Sequence, residues 1–181
     1  MRLAFDLVAE TKEAKLKART TILATLAVGF LVAVLAPDTG IAREGQDLAG
    51  RLLRAAEGLQ MPGSEGDSSW WFVSYPQEKE LPSVERMASI SGCSDYPDGV
   101  MTRSDFDATF DHLGQVQPWM DQGQKKSARG FARLREVFHR EYGDDLAVYR
   151  CDTNQYGQVP IYFLGVDRDG LSGLMTVNIE T

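Results

Sequence analysis

At 181 residues, with 43% hydrophobic and 25% charged residues, the chain has the composition of an ordinary folded protein with room for one well-developed core. A net charge of −7 and a pI near 4.9 argue against direct nucleic-acid binding, which calls for a basic face. The acidity belongs to the body of the protein: residues 43–181 hold 14 Lys and Arg against 22 Asp and Glu, a net −8.

The N-terminus reads separately. Met1 to Arg19 is charged and amphipathic, and Thr20 to Pro37 then runs for 18 residues without a charge. That length sits at the lower limit for a membrane span and slightly above a usual signal-peptide core. Gly40-Ile41-Ala42 offers small residues for cleavage before Arg43. Basic residues precede the apolar run, so both a cleaved signal and an uncleaved anchor put the remainder of the chain outside the cytoplasm. Residues 1–42 are therefore assigned as signal peptide or membrane anchor, with membrane contact confined to residues 20–37. A buried cytoplasmic helix ranks third, because no polar face recurs at helical spacing.

Beyond residue 43 the pattern alternates. Arg43 to Glu57 places Leu48, Leu52, Ala55 and Ala56 at amphipathic spacing, with Gly58 as its stop. Met61 to Ser69 is a loop of turn formers. Trp70-Trp-Phe-Val-Ser-Tyr75 is a strand whose tandem tryptophans point to opposite faces, at least one of them into the core. Pro82 opens a short helix with Val84, Met87 and Ile90 inward. Ser104-Asp-Phe-Asp107 caps a helix carrying Phe106, Phe110 and Leu113, ended by Gly114. Asp121 to Tyr142 is a long helix with Ala128, Phe131, Leu134, Phe138 and Tyr142 on one stripe and Gly143 as its stop.

Three strand-like runs close the chain: Leu146 to Cys151, Val159 to Val166 and Leu171 to Thr181. Asp167-Arg-Asp-Gly170 makes a hairpin loop between the last two. The final strand alternates, with Gly173, Met175, Val177 and Ile179 predicted inward and Ser172, Thr176, Asn178 and Glu180 outward. These elements predict an α+β layered domain over residues 43–181 with a mainly antiparallel sheet. Cys93 and Cys151 are the two cysteines. Outside the cytoplasm they can form one disulfide; the alternative is two unconnected thiols, and a lone pair carries no spacing information to decide.

Catalytic equipment is thin. His112 and His139 each fall on a predicted helix, at ordinary boundary positions. Gly170-Leu-Ser-Gly173 lacks the spacing of a nucleophile elbow, and Asp167-Arg-Asp-Gly170 lacks the remaining ligands of a calcium loop. There is no CxxC, no glycine-rich phosphate loop and no carboxylate cluster spaced for acid–base work. The reading is a binding protein, not an enzyme, with no cofactor of its own.

A resemblance covers residues 44–181. Leu53-Arg-Ala-Ala-Glu-Gly-Leu59 with Ser64-Glu65, then Ser104-Asp-Phe-Asp-Ala-Thr-Phe110, Pro118-Trp119, Phe131 to Val137, Val148-Tyr-Arg150 and Gly170 to Thr181 follow one another in an order and spacing similar to the nuclease A inhibitor family. Its members block sugar-non-specific DNA/RNA endonucleases of the ββα-metal type. The resemblance implies a three-layer α/β/α sandwich, similar to the pathogenesis-related-protein-like fold. It also implies that Ser64, Glu65 and Asp67, with Glu180 and Thr181 at the end of the chain, form the partner-binding site. Glu65 and Thr181 are then expected to approach the nuclease's own Mg²⁺, which leaves ligand positions open for oxygen donors.

The chain departs from the family in its loop, where Pro62-Gly63 and Gly66 replace a less glycine-rich pattern and Ser68-Ser69-Trp70 replaces Tyr-Pro. This predicts a softer loop around Glu65. It also carries the N-terminal apolar segment. Two functions stay open: a nuclease inhibitor working extracytoplasmically or at the membrane, and an exported or tethered interaction domain that uses the same scaffold for another partner.

Overall fold

The chain divides after Asp38 into two units, Met1–Asp38 and Thr39–Thr181. The computed structural model describes residues 40–65, 68–153 and 157–180. The apolar run at residues 20–37, Asp67 and Thr181 therefore lie outside the described residues, as does all of the proposed signal or anchor except its last three residues.

Among the described residues, four helices start and stop on local chemistry. Gly40–Ala56 (α1) begins three residues before the predicted boundary, so Gly40-Ile41-Ala42 opens a helix. Val84–Ser91 (α2) is capped by Ser83, whose Oγ accepts from the Arg86 N–H, and it ends at Gly92 with φ +77°. Phe106–Gly114 (α3) is capped by Asp105, which accepts from the Ala108 N–H at 2.7 Å. Gln122–Tyr142 (α4) opens with a reciprocal capping box between Asp121 and Gln124. No helix among the described residues is long and apolar enough to cross a membrane.

Five strands, Trp70–Tyr75 (β1), Val100–Ser104 (β2), Leu146–Asp152 (β3), Gln158–Asp167 (β4) and Gly170–Ile179 (β5), form one sheet in the order β1-β5-β4-β3-β2. Every pairing is antiparallel, and with the four helices this makes an α+β domain. The sequence reading missed β2. Its Val-Met-Thr-Arg-Ser buries only Met101 and becomes a strand by pairing with β3, from Val100 opposite Asp152 to Ser104 opposite Val148.

Core residues fall into two clusters that divide by the alternation of the strands. One joins Leu52 and Ala56 of α1, Phe106 and Phe110 of α3, and Phe131, Leu134 and Phe138 of α4 to Val148, Ile161, Phe163 and Leu174 of the sheet. Trp70 packs here, its ring centroid 5.6 Å from that of Phe163 and 6.1 Å from that of Phe131. The other joins Met87 of α2 and the disulfide-bonded Cys93 to Ala147, Tyr149, Cys151, Tyr162, Leu164 and Leu171.

This division overturns the predicted facing of β5. Its alternation is as expected, but both sides are covered: Gly173 is buried on the predicted inner side with Leu171, where Met175, Val177 and Ile179 are partly covered, and Ser172, Leu174, Thr176 and Asn178 are buried on the predicted outer side. Most of this polar side is bonded: Ser172 Oγ to the Tyr142 hydroxyl at 2.9 Å, Thr176 Oγ1 donating to the Ser69 carbonyl at 2.8 Å, and Asn178 Nδ2 donating to Glu180 Oε1, while Asn178 Oδ1 is buried without a partner among the described residues. Gly165 lets α4 seat against β4, since a Cβ there would overlap the Tyr142 ring.

Candidate functional site

The residues singled out in the sequence converge at one end of the sheet. The chain leaves α1 and plants Leu59 and Met61 in the core, with the Leu59 carbonyl accepting from the Trp70 indole N–H at 3.0 Å. Ser68 Oγ accepts from the Met61 N–H at 2.9 Å, and the Met61 carbonyl accepts from the Ser64 N–H at 3.2 Å. The loop then zips onto the end of β5. The Glu65 N–H donates to the Ile179 carbonyl at 3.1 Å, and the Ile179 N–H donates to Ser64 Oγ at 3.2 Å. Ser64 and Glu65 thus lie beside the last residues of the chain although 115 positions separate Ser64 from Ile179.

In the Ser64-Glu65 part of this loop, two apolar pegs and a two-way bond to β5 anchor the backbone. Ser64 is half-buried and Glu65 exposed.

Glu180 is occupied differently from the expectation. Arg150 of β3 grips its carboxylate with both terminal nitrogens, Nη1 to Oε1 at 2.9 Å and Nη2 to Oε2 at 2.8 Å. Asn178 Nδ2 adds a third bond to Oε1 at 2.7 Å, and the Glu180 N–H donates to the Gly157 carbonyl at 2.6 Å. The Arg150 guanidinium, opposed by partial burial and helped by the Asn178 amide, holds this carboxyl below the usual carboxylate range. Gly157 itself sits at φ +62°, and a Cβ there would run into the Glu180 carbonyl. Sequence reasoning missed Arg150, Asn178 and Gly157 as members of this site. Each is ordinary in its local context, and only the sheet brings them together.

A cavity of about 510 Å³ opens beside the same loop, with Met61, Leu113 and Phe131 at its floor and Ser64 and Trp119 at its rim. Trp119 is 73% exposed.

The two cysteines pair, linking a 3-10 turn at Cys93–Asp95 to β3 one residue beyond Arg150. The histidines both line a separate groove of about 1020 Å³ between α3 and α4. His139 is braced there, Nε2 against Asp107 Oδ1 at 2.8 Å and Nδ1 against the Gly143 carbonyl at 3.1 Å. Arg135 ties the same Asp107 to Asp111. Asp111 and Glu136 line the groove with the two histidines, and among the described residues no serine, threonine, cysteine or lysine does. Nor, among the described residues, is any group of three or more His, Cys, Asp or Glu side chains arranged to hold a metal.

No family model matches the sequence, and no curated protein matches it.

Proposed function

We propose that the domain is a protein inhibitor of a metal-dependent, sugar-non-specific endonuclease and that it works by blocking the active site, without catalysis or a cofactor of its own. The observation that carries this reading is the pair of hydrogen bonds between Ser64-Glu65 and Ile179, which makes the acidic loop and the end of the chain neighbours. Those are the two segments the family resemblance assigns to the nuclease. Ser64, Glu65, Asp67, Glu180 and Thr181 form the contact in this reading. The Glu65 carboxylate and the Thr181 terminus approach the nuclease's Mg²⁺, a hard cation that accepts oxygen ligands in place of water and phosphate. The acidic body favours association with a basic, phosphate-binding cleft.

The same resemblance makes the fold a three-layer α/β/α sandwich similar to the pathogenesis-related-protein-like fold. The two core clusters on opposite sides of the strands support it. We place the domain outside the cytoplasm, secreted, periplasmic or held by residues 20–37, and the Cys93–Cys151 disulfide supports an oxidising compartment.

A second reading, an exported interaction domain with another partner, has its own observation. Trp71 is 46% exposed beside the partly covered Met175, Val177 and Ile179, an apolar strip on a soluble acidic domain. Titrating the purified protein against a ββα-metal endonuclease separates the two. Stoichiometric loss of nuclease activity supports the inhibitor; full activity at a large molar excess leaves the second reading.

A further inference from the structure

A segment leaving a sheet loses its ladder bonds, and β5 ends one residue before Glu180. What ties this end is unusually complete. Both backbone groups of Ile179 are taken by Ser64 and Glu65, the Glu180 N–H by Gly157, and the Glu180 carboxylate by the Arg150 fork and Asn178. A bidentate guanidinium–carboxylate pair fixes orientation as well as distance, because two parallel bonds leave the carboxylate plane no freedom to turn. Its base is firm. Arg150 lies on β3, paired on both sides with Thr102 of β2 and Ile161 of β4, and the next residue is bonded to Cys93.

We propose that Arg150 is the positioning residue of this tip. By gripping Glu180 it fixes the peptide that precedes Thr181 and, through Ile179, the backbone of Ser64 and Glu65. Its functional consequence rests on the inhibitor reading; its geometry does not. The pair is partly solvated, with the Glu180 side chain 41% exposed, and exposed ion pairs contribute little net stability. Its effect is therefore one of aim: it spares the tip an ordering cost that would otherwise fall on binding. Asp152, 3.7 Å from Arg150 Nη2, is too distant to replace Glu180 as a bidentate partner.

The test uses the full chain with Arg150→Gln, Arg150→Lys, Glu180→Gln and the double Arg150→Gln/Glu180→Gln. Three quantities are followed: amide exchange at Glu65, Ile179 and Glu180 in the free protein, the melting temperature, and the dissociation rate from a ββα-metal endonuclease. Arg150→Gln and Glu180→Gln should each speed exchange at these amides about tenfold and leave core amides unchanged. The double variant should go no further than either single one, since both remove the same interaction. Arg150→Lys, which keeps the charge but not the fork, should fall between Arg150→Gln and the wild type. Nuclease dissociation should rise in the same order.

Wild-type protection of the Glu65 and Glu180 amides in Arg150→Gln overturns the proposal. So does faster exchange throughout the core with a large fall in melting temperature, which makes Arg150 a general stabiliser. Weaker nuclease binding in Arg150→Gln but not in Glu180→Gln also overturns it, by making Arg150 a direct contact. Local loosening in a protein that inhibits no nuclease leaves Arg150 as the positioning residue and removes the inhibitor reading instead.

Discussion

Glu65 and Glu180 are acids at the same tip whose surroundings assign them different tasks. Glu65 is exposed in a loop, so Glu65→Ala opens no cavity and should change the unfolding free energy by no more than about 0.5 kcal/mol. Against a nuclease metal the same change should cost roughly 2–5 kcal/mol, mostly as faster dissociation, and deletion of Thr181 should act alike; dissociation kinetics read both. Glu180 is held internally, and its charge answers to pH. Its folded pKa is depressed by Arg150, so its contribution to stability is present above the unfolded carboxylate value and lost as pH falls through the folded one. The stability gap between wild type and Glu180→Gln should therefore be flat from neutral pH to about 5 and shrink below about 4, as measured by denaturant unfolding along a pH series. A gap that holds constant into strong acid would contradict this. Glu141 follows the same sign, its carboxyl lowered first by the Arg51 guanidinium, which reaches both carboxylate oxygens at 3.0 and 2.7 Å.

Between elements, two links set how the sheet is held. Tyr142 at the end of α4 meets Ser172 of β5 where both are buried, and burial pushes the phenol well above its ordinary pKa. Tyr142→Phe leaves the Ser172 hydroxyl without that partner, at a cost of about 1–3 kcal/mol in the unfolding free energy. The Cys93–Cys151 bond closes a sequence separation of 58 and secures the segment after α2 to β3. In the chain-entropy model a loop of that size contributes about 4 kcal/mol, so unfolding with and without reductant should differ by roughly 2–4 kcal/mol. An unchanged midpoint on full reduction would show that the core alone holds the Cys93 turn.

Among the described residues, every buried member of both core clusters lies between Leu48 and Leu174. A chain starting at Gly40 therefore keeps all of them and should unfold cooperatively, with the circular dichroism of a mixed helix and sheet protein. A non-cooperative melt would make residues 1–39 part of the fold. The start should be Gly40 and not Arg43, because α1 begins there. If the protein is exported, cleavage after Ala42 would remove the first three residues of α1.

The sequence by itself determined the pieces whose physics is local. α4 was legible end to end, because its capping box, its apolar stripe and its stop at Gly143 all lie within 23 residues. The cap of α3, the hairpin at Asp167 to Gly170 and the alternation of β5 were legible for the same reason, whereas α2 begins at Val84 behind its Ser83 cap and not at Pro82. Tertiary structure alone decided three further things. It made β2 a strand, since a solvated edge carries almost no hydrophobic pattern and is defined by its partner. It covered both sides of β5, where alternation by itself predicts one buried face. Hydrogen bonds with Tyr142 and Ser69 take up Ser172 and Thr176 on the polar side. And it assembled the tip from Ser64, Arg150, Gly157 and Glu180, residues whose only common property is where a five-stranded antiparallel sheet sets them down. Non-local pairing leaves no periodic trace in the sequence.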